Sequence, residues 1–271
     1  MLSRKNIFTF DIETVIDANM AREFLKLPES LSDDEVVQKL EEYHLSITDG
    51  KNSFARQLFH KVVAIAFLHA EIAYEDGGES YRLVDLRAGG KNNFSEEELI
   101  KSFFTHLSGL KPRLVTFNGR TFDLPVLKYR AMKYGISAAW LYRDGDKWNN
   151  YNSRYSADWH CDLLDVLSDF GASAKVRMNE VCALLDLPGK LDVDGSKVAD
   201  LYKDGKLNEI RDYCELDVAN TYLIYLSYMR HTANISQQSY EQAVQDLYLY
   251  MEKNSCDKNH YLDFLENWGG L

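Results

Sequence analysis

The amino-acid sequence predicts an α/β protein in which a mixed β-sheet is flanked by helices. Strand-like segments occupy residues 6–13, 60–70 and 80–86, and helix and strand patterns alternate in the part of the chain that follows. The first three strands are expected to form an antiparallel meander, and the alternation after them is typical of an α/β sheet. Since no boundary divides the pattern, we expect residues 1–271 to form a single domain.

The first strand is followed by a long polar region. Residues 6–13 alternate and are rich in Ile and Phe, as expected of a strand. Residues 17–58 are helix-prone and acidic in the middle, and Ser32 and Glu35 have the spacing of a capping box. We interpret this region as a helical insertion after the first strand. The β-branched run at 60–70 then predicts the second strand.

The central part of the chain carries the remaining features of the sheet. Residues 76–79 contain two glycines and predict a turn into the third strand, 80–86. Ser95 begins a helix with a second capping box. The apolar residues 113–117 predict a buried strand, and a helix is expected over 123–134.

The C-terminal half is expected to be mainly helical. Residues 140–156 are rich in aromatic and polar residues and are interpreted as a loop, and 158–168 as a strand followed by a helix. A helical extension is expected over 236–271. The expected helices of this half lie at about 177–186, 195–203, 206–230, 237–252 and 258–267. The order of elements resembles the ribonuclease H-like fold with additional C-terminal helices.

Composition and charge limit the classes of function. The formal net charge of −11 counts against a sequence-blind protein coat on DNA, but it is compatible with an enzyme that touches nucleic acid over a short region. No apolar run approaches the roughly 20 residues of a membrane helix, and the N-terminus lacks a secretory signal pattern. We therefore expect a cytoplasmic protein that has no membrane partner. The cysteines expected to be reduced thiols are Cys161, Cys182, Cys214 and Cys256.

The first candidate functional motif is a pair of acids on the first strand. Asp11 and Glu13 are two residues apart and face the same side, whereas Ile12 faces the other. Two carboxylates on one face of an apolar strand repel each other and resist burial, and a cation between them would remove this penalty. The alternative is a pair of solvated acids on an exposed edge strand.

The second motif lies where a buried strand gives way to a helix. Residues 118–123, NGRTFD, place Asp123 on a loop at the carboxyl end of a strand, where open α/β sheets carry their chemistry. The alternative is that Asp123 is only a helix N-cap. Phe122 is either a core residue or an apolar wedge beside the reacting group.

The third motif lies on the long helix. Tyr213 and Asp217 are four residues apart and share a face with Ile210, Cys214 and Thr221. An unpaired carboxylate beside this apolar stripe would be costly. The alternative is a boundary aspartate paired with a Lys or Arg.

Together the three motifs carry a family resemblance over nearly the whole chain. FDIET at 10–14, NGRTFD at 118–123 and Y-x-x-x-D at 213–217 resemble the motifs of the DEDD superfamily of 3′–5′ exonucleases, in its tyrosine subgroup. The sequence is similar to the bacterial family of predicted exonucleases related to the proofreading domain of family B DNA polymerases. VTFNGRTFDLPVLKYRA at 115–131 and RDYCELDVANTYLIYL at 211–226 strengthen this likeness.

The resemblance implies a two-metal hydrolysis of phosphodiesters. It implies that Asp11, Glu13, Asp123 and Asp217 hold two divalent ions, Mg²⁺ or Mn²⁺, and that Tyr213 orients the attacking water. A tyrosine with a pKa of about 10 is a poor base at neutral pH, so we assign deprotonation of the water mainly to the metal. The four acids and Tyr213 are therefore the predicted catalytic residues.

Further residues are candidates for contact with the substrate. The resemblance indicates Thr14, Asn118 and Phe122 as contacts to the terminal nucleotide, with Thr14 also explained by the preference of threonine for strands. The basic candidates for contact with the strand backbone are Arg120, Lys190 and Lys197, each with a solvated surface charge as its alternative.

Two more acids and an aromatic segment lie between the second and third motifs. We interpret Asp162 and Asp165 as structural residues that support the site. The aromatic residues of 140–156 are candidates for stacking on bases, because an aromatic ring accepts any base. Packing within the protein is the alternative.

The expected partner is single-stranded nucleic acid with a free 3′ end, and DNA is favoured. An exoribonuclease that trims RNA is the nearest alternative, since contact with a 2′-hydroxyl is a matter of local geometry. A non-catalytic module that binds nucleic acid or an unidentified protein is the alternative from another class. The sequence contains no polymerase region in cis, so repair, end-trimming and nucleotide salvage are the roles considered.

Overall fold

A five-stranded mixed sheet lies at the centre of the computed structural model, which describes residues 4–75, 77–91, 93–189 and 197–268. Its strands are β1 (Asn6–Ile16), β2 (His60–Glu75), β3 (Gly78–Ala88), β4 (Arg113–Thr116) and β5 (His160–Asp162). The strand order is β3-β2-β1-β4-β5, so the strand that carries the first motif is the middle one. The architecture is a mixed sheet with flanking helices, as the sequence predicts, and is consistent with a ribonuclease H-like fold.

The predicted antiparallel meander is confirmed. β1 pairs antiparallel with β2, and β2 pairs antiparallel with β3. On the other side of β1, β4 and β5 continue the sheet in parallel pairs. The register of β1 on β2 shifts between Glu13 and Thr14, whose partners are Ala64 and Val62, so Val63 is an extra residue in β2. Bulges of this kind are common beside active sites.

Most of the helices lie where the sequence pattern predicts them. In chain order they are α1 (Ala18–Leu25), α2 (Asp33–Ile47), α3 (Glu96–Leu110), α4 (Asp123–Lys133), α5 (Ala139–Arg143), α6 (Leu163–Leu167), α7 (Met178–Leu184), α8 (Val198–Lys203), α9 (Leu207–His231), α10 (Gln237–Asn254) and α11 (Asn259–Glu266). Both predicted capping boxes are present, at the N-termini of α2 and α3. Each satisfies two backbone N–H groups that the helix leaves without partners.

The two faces of β1 lead into different parts of the core. Phe8, Phe10 and Ile12 pack with α3 and α4 on one face. Ile7 faces the opposite way, into the cluster built around α9, α10 and α11. Because side chains alternate along a strand, Asp11 and Glu13 lie on the same side as Ile7 and therefore towards α9.

The region expected to be a helical insertion contains α1 and α2. These helices form a small hydrophobic cluster of their own with Ala21, Val36, Leu40, Ala55 and Phe59. The division of the chain into one domain with an insertion at 17–58 and an extension at 236–271 stays a prediction.

The interpretation of 140–156 as a loop is wrong at its N-terminal end, where α5 lies. Two of its aromatic side chains are buried and hydrogen-bonded, as buried Trp and Tyr require. Trp140 Nε1 donates to the carbonyl of Phe104 (3.2 Å), and the Tyr151 hydroxyl donates to that of Pro112 (2.7 Å). For these two rings, packing is therefore the correct alternative. The exposed aromatic side chains of the segment are Tyr142, Trp148 and Tyr155.

The predicted absence of disulfides agrees with the structure, in which Cys161, Cys182, Cys214 and Cys256 are free thiols. Within the described ranges, no helix has both the length and the apolar character needed to cross a membrane.

A buried ion network joins the helices on one face to the end of β1. Arg130 of α4 is 2% exposed and donates to Glu96 of α3 (Nε to Oε1, 2.7 Å) and to Asp17 (Nη1 to Oδ2, 2.8 Å). Glu96 also accepts from the backbone N–H of Val62 (2.7 Å). This network fixes α4, the helix that begins at Asp123, against β1 and β2.

We expect Arg130→Met to lower the free energy of unfolding by about 3–5 kcal/mol, because Glu96 and Asp17 would keep buried charges without the guanidinium. Lys133→Met is the matched control, since Lys133 is half exposed and pairs with Asp17, one of the two acids that Arg130 binds. The free energy of unfolding of this variant is expected to fall by less than about 1 kcal/mol. Urea unfolding measures both variants, and equal losses would contradict the structural role of Arg130.

Candidate active site

A cavity of about 480 Å³ opens beyond the carboxyl end of β4, beside residues 11–13 of β1 and against α9. This is the edge of the sheet at which open α/β folds place their chemistry. Residues that are far apart in sequence meet here. The predicted site residues that line the cavity are Asp11, Glu13, Asn118, Phe122, Asp123, Tyr213 and Asp217.

The first motif reaches the cavity because of the alternation along β1. Asp11 and Glu13 point to the α9 side, where Cys214 meets them. Carboxylate oxygens of the two acids and Sγ of Cys214 all lie within 4.8 Å of one another. Glu13 is nearly buried, so the acids are not the solvated pair of an exposed edge strand.

Asp123 is tied to β1 by a hydrogen bond. Its carboxylate accepts from the backbone N–H of Ile12 (3.1 Å), between the two acids of the first motif. The pairing of β1 with β4 ends at Thr9 and Val115, which leaves room for a side chain at this point of the strand. Asp123 is the first residue of α4, and Phe122 occupies the N-cap position. The alternative of Asp123 as a simple N-cap is therefore wrong.

Asp162 holds the turn that leads to Asp123. Its carboxylate accepts from the backbone N–H groups of Asn118 (2.9 Å) and Arg120 (2.8 Å). Asn118 has φ of 70°, in the left-handed region, and a Cβ on Gly119 would lie 2.6 Å from the Thr116 side chain. The turn thus depends on a backbone that few residues can adopt. These contacts agree with a structural role for Asp162.

The third motif lies on α9 with Tyr213 and Asp217 buried on the cavity side. The Tyr213 hydroxyl hydrogen-bonds to the Asp217 carboxylate. This pairing within the site contrasts with the alternative of a boundary aspartate bound to a Lys or Arg.

The back of α9 is anchored to the end of β3. Arg211 donates to the carbonyls of Ala88 (3.2 Å) and Gly89 (2.9 Å), and Glu215 accepts from the backbone N–H of Ala88 (2.6 Å). Glu215 also accepts from Lys258 and from Tyr261 of α11. These contacts fix the rotation of α9, which keeps Tyr213 and Asp217 turned towards the cavity.

The acids of the cavity strongly affect one another. Desolvation by burial, together with the neighbouring charges of Asp162 and Asp217, raises the pKa of Asp123 to about 7 against opposing hydrogen bonds from backbone N–H groups. Burial and the charges of Asp217, Glu13 and Asp11 raise the pKa of the Tyr213 phenol far above its ordinary value. In the metal-free site Tyr213 is therefore protonated at neutral pH and can act as a hydrogen-bond donor.

This set of donors fits hard divalent cations. Carboxylate oxygens are the ligands that Mg²⁺ and Mn²⁺ prefer, and their mutual repulsion is relieved when a cation lies among them. Asp11, Glu13, Asp123 and Asp217 could hold such ions. Burial and the charge of Asp11 raise the pKa of the Cys214 thiol well above its ordinary value. Hard cations also prefer oxygen ligands to a thiol.

Several other residues named from the sequence make contacts within the protein. The Thr14 hydroxyl hydrogen-bonds to Nδ1 of His60 (2.9 Å), and Thr14 is not among the residues that line the cavity. The Arg120 guanidinium turns inward onto the carbonyls of Ser153 (3.1 Å) and His160 (2.9 Å), so it supports the scaffold and not the nucleic-acid backbone. Asp165 binds Arg154 (2.6 Å). Lys190 lies outside the described residues, and the role of Lys197 stays a prediction.

Sequence reasoning missed the wall of the cavity formed by the start of α7. Val176, Arg177 and Asn179 line the cavity together with the acids, and Arg177 is exposed. A basic side chain in a carboxylate-rich cavity suits an incoming phosphate. No local motif marks Arg177, because its position depends on how α7 packs against the sheet.

Comparison with known proteins gave one family match. A family model described as a predicted 3′–5′ exonuclease related to the exonuclease domain of PolB matches residues 52–268. This range includes Asp123, Tyr213 and Asp217 and begins after Asp11 and Glu13. The place of the first two acids in the site therefore rests on the structure. A search of the curated proteins returned no match.

The raised pKa of Asp123 predicts how the metal-free protein responds to pH. Asp123 binds its proton more tightly in the folded state, with a pKa of about 7, than in the unfolded chain, with about 3.9. Its contribution to stability is complete below about pH 4 and is lost as the pH rises through 7. Urea unfolding in a chelator between pH 4.5 and 8 should show this decline, and Asp123→Asn should lessen it. An equal decline in the variant would refute the assignment.

Proposed function

The chain belongs to the family of predicted 3′–5′ exonucleases related to the exonuclease domain of PolB, and on this basis we propose that it removes mononucleotides from the 3′ end of single-stranded nucleic acid, with DNA as the proposed substrate. The observation that carries the proposal is that Asp11, Glu13, Asp123 and Asp217 line one cavity with Tyr213. Acids gathered in this way suit hydrolysis of a phosphodiester by two metal ions.

Each acid has a distinct place in the proposed site. Asp11 and Glu13 approach from β1, Asp123 from the start of α4 and Asp217 from α9. Two divalent ions held by these residues would supply a more acidic water and would stabilise negative charge on the phosphate and on the leaving 3′ oxygen. Asp123 has to release its proton for the carboxylate to serve as a ligand.

Tyr213 is proposed to orient the attacking water. Because its phenol stays protonated, it donates a hydrogen bond and does not remove a proton. Its bond to Asp217 holds the hydroxyl at the acids, and α9 fixes the ring through the contacts of Arg211 and Glu215 with β3. Orientation of a reactant by a fixed group contributes to rate without a change in its charge.

The walls of the cavity are proposed to bind the terminal nucleotide. Phe122 offers an apolar surface to the base or sugar, and Asn118 offers an amide for hydrogen bonds. Arg177 places a positive charge where a phosphate would enter a cavity that is otherwise negative. The small number of basic groups agrees with a short contact between the acidic chain and its substrate.

The experiment that tests this proposal uses single strands labelled at one end. With Mn²⁺ or Mg²⁺, a 5′-labelled DNA oligonucleotide should give a ladder that shortens from the 3′ end, and a 3′-labelled one should release labelled mononucleotide at once. Asp217→Asn should lower the rate to the background of a chelated sample. RNA of the same sequence is the comparison substrate. Undiminished activity in the variant, or release from the 5′ end, would overturn the proposal.

Tyr213→Phe tests the role of the tyrosine separately. Removing one fixed hydrogen-bond donor is expected to slow hydrolysis by about 100-fold, while Mn²⁺ affinity measured by calorimetry changes little. Asp217→Asn is the matched comparison, because it should weaken Mn²⁺ binding as well. Loss of Mn²⁺ affinity in Tyr213→Phe to the same extent would show that the tyrosine supports the acids instead.

A further inference from the structure

Residues 51–58, which we call the exit segment, lead from the helical region after β1 into β2. They lie beside the turn that carries the second motif. Gln57 Nε2 donates to the carbonyl of Thr121 (2.9 Å), two residues before Asp123. The exit segment is therefore fixed to the edge of the candidate active site.

The exit segment brings an aromatic ring to this edge. The Phe54 ring lies 5.8 Å from that of Phe122 and 5.2 Å from that of His60, and His60 meets Phe122 edge to face at 4.9 Å. Phe122 lines the cavity, His60 is buried, and Phe54 is 56% exposed. The Phe122 and Phe54 rings, packed against each other and against the buried His60, thus place aromatic side chains from the cavity to solvent.

The charge around Phe54 also differs from that of the whole chain. The formal net charge is −11, yet residues 50–70 contain no Asp or Glu. Lys51 and Arg56, on either side of Phe54, have exposed side chains. A single strand that leaves the cavity over Phe54 would meet positive charge, whereas most of this protein's surface would repel it.

We propose that Phe54 binds the substrate strand by stacking on a base upstream of the scissile bond, with Lys51 and Arg56 near the phosphates of that part of the strand. The inference rests on the proposed function, which it deepens by assigning a strand-binding role to the region before β2. An exposed ring accepts any base, so this contact strengthens binding without sequence preference. Phe122 and the acids hold the terminal nucleotide, and Phe54 holds the strand that remains.

The test compares two substrates that differ in the upstream strand. On single-stranded DNA of ten nucleotides, Phe54→Ala should raise KM by about 5- to 100-fold, the range for loss of one stacked base, with kcat nearly unchanged. On the p-nitrophenyl ester of thymidine 5′-phosphate, which has no upstream base, the variant should equal the wild type. Phe54→Trp should restore the KM for the oligonucleotide.

Tyr74→Ala is the matched control. Tyr74 is 49% exposed and lies near the opposite end of β2 from His60. Both kinetic parameters should stay at wild-type values. A KM for the oligonucleotide that is equal in Phe54→Ala and wild type would overturn the proposal, as would an equal rise on the ester.

A binding measurement keeps this inference separate from the proposed function. Fluorescence anisotropy of a 5′-labelled oligonucleotide with Ca²⁺ should show weaker binding by Phe54→Ala than by wild type and by Tyr74→Ala. If neither substrate is hydrolysed by any form of the protein, the proposed function fails, and anisotropy still decides the role of Phe54. Equal affinities of all three proteins would refute it.

Discussion

The site depends on the hydrogen bond that joins Asp123 to the backbone N–H of Ile12 across 111 residues of sequence. A buried polar group is costly without such partners, and a hydrogen bond contributes about 0.5–1.5 kcal/mol, more when the acceptor is charged. It also fixes the start of α4 between Asp11 and Glu13. The buried Arg130 network holds the other end of the helix, so α4 cannot shift along β1 without breaking contacts at both ends.

The remaining acid depends on a different set of contacts on the other face of the sheet. Asp217 reaches the cavity because α9 is held in one rotation by Arg211 and Glu215, whose partners lie on β3 and α11. Burial opposes ionisation of Glu215, but its hydrogen bonds with His260 and Lys258 lower its pKa to about 2. Glu215 is thus charged at neutral pH, and the C-terminal helices brace the helix that carries the third motif.

Much of this arrangement follows from local patterns in the sequence. Alternation on β1, the two capping boxes and the four-residue spacing of Tyr213 and Asp217 are short-range features, and they predict the strands, most helices and the shared face. The inward turn of Arg120, the burial of Trp140 and the position of Arg177 depend on long-range packing that no local pattern encodes. The separation of Thr14 from the cavity has the same origin, since its partner His60 is set by the pairing of β1 with β2.

The bulge at Val63 shows how closely the sheet and the site are connected. Val63 and Ala64 are consecutive, yet both pack in the cluster that contains Tyr213, whereas Val62 packs on the opposite face. The extra residue thus interrupts the alternation of side chains along β2. Residues before it point to the opposite face from the one that unbroken alternation would give. Loss of a single codon here would turn His60 to the wrong face of the sheet. The rings of Phe54 and Phe122 would then lose their contacts with the His60 imidazole.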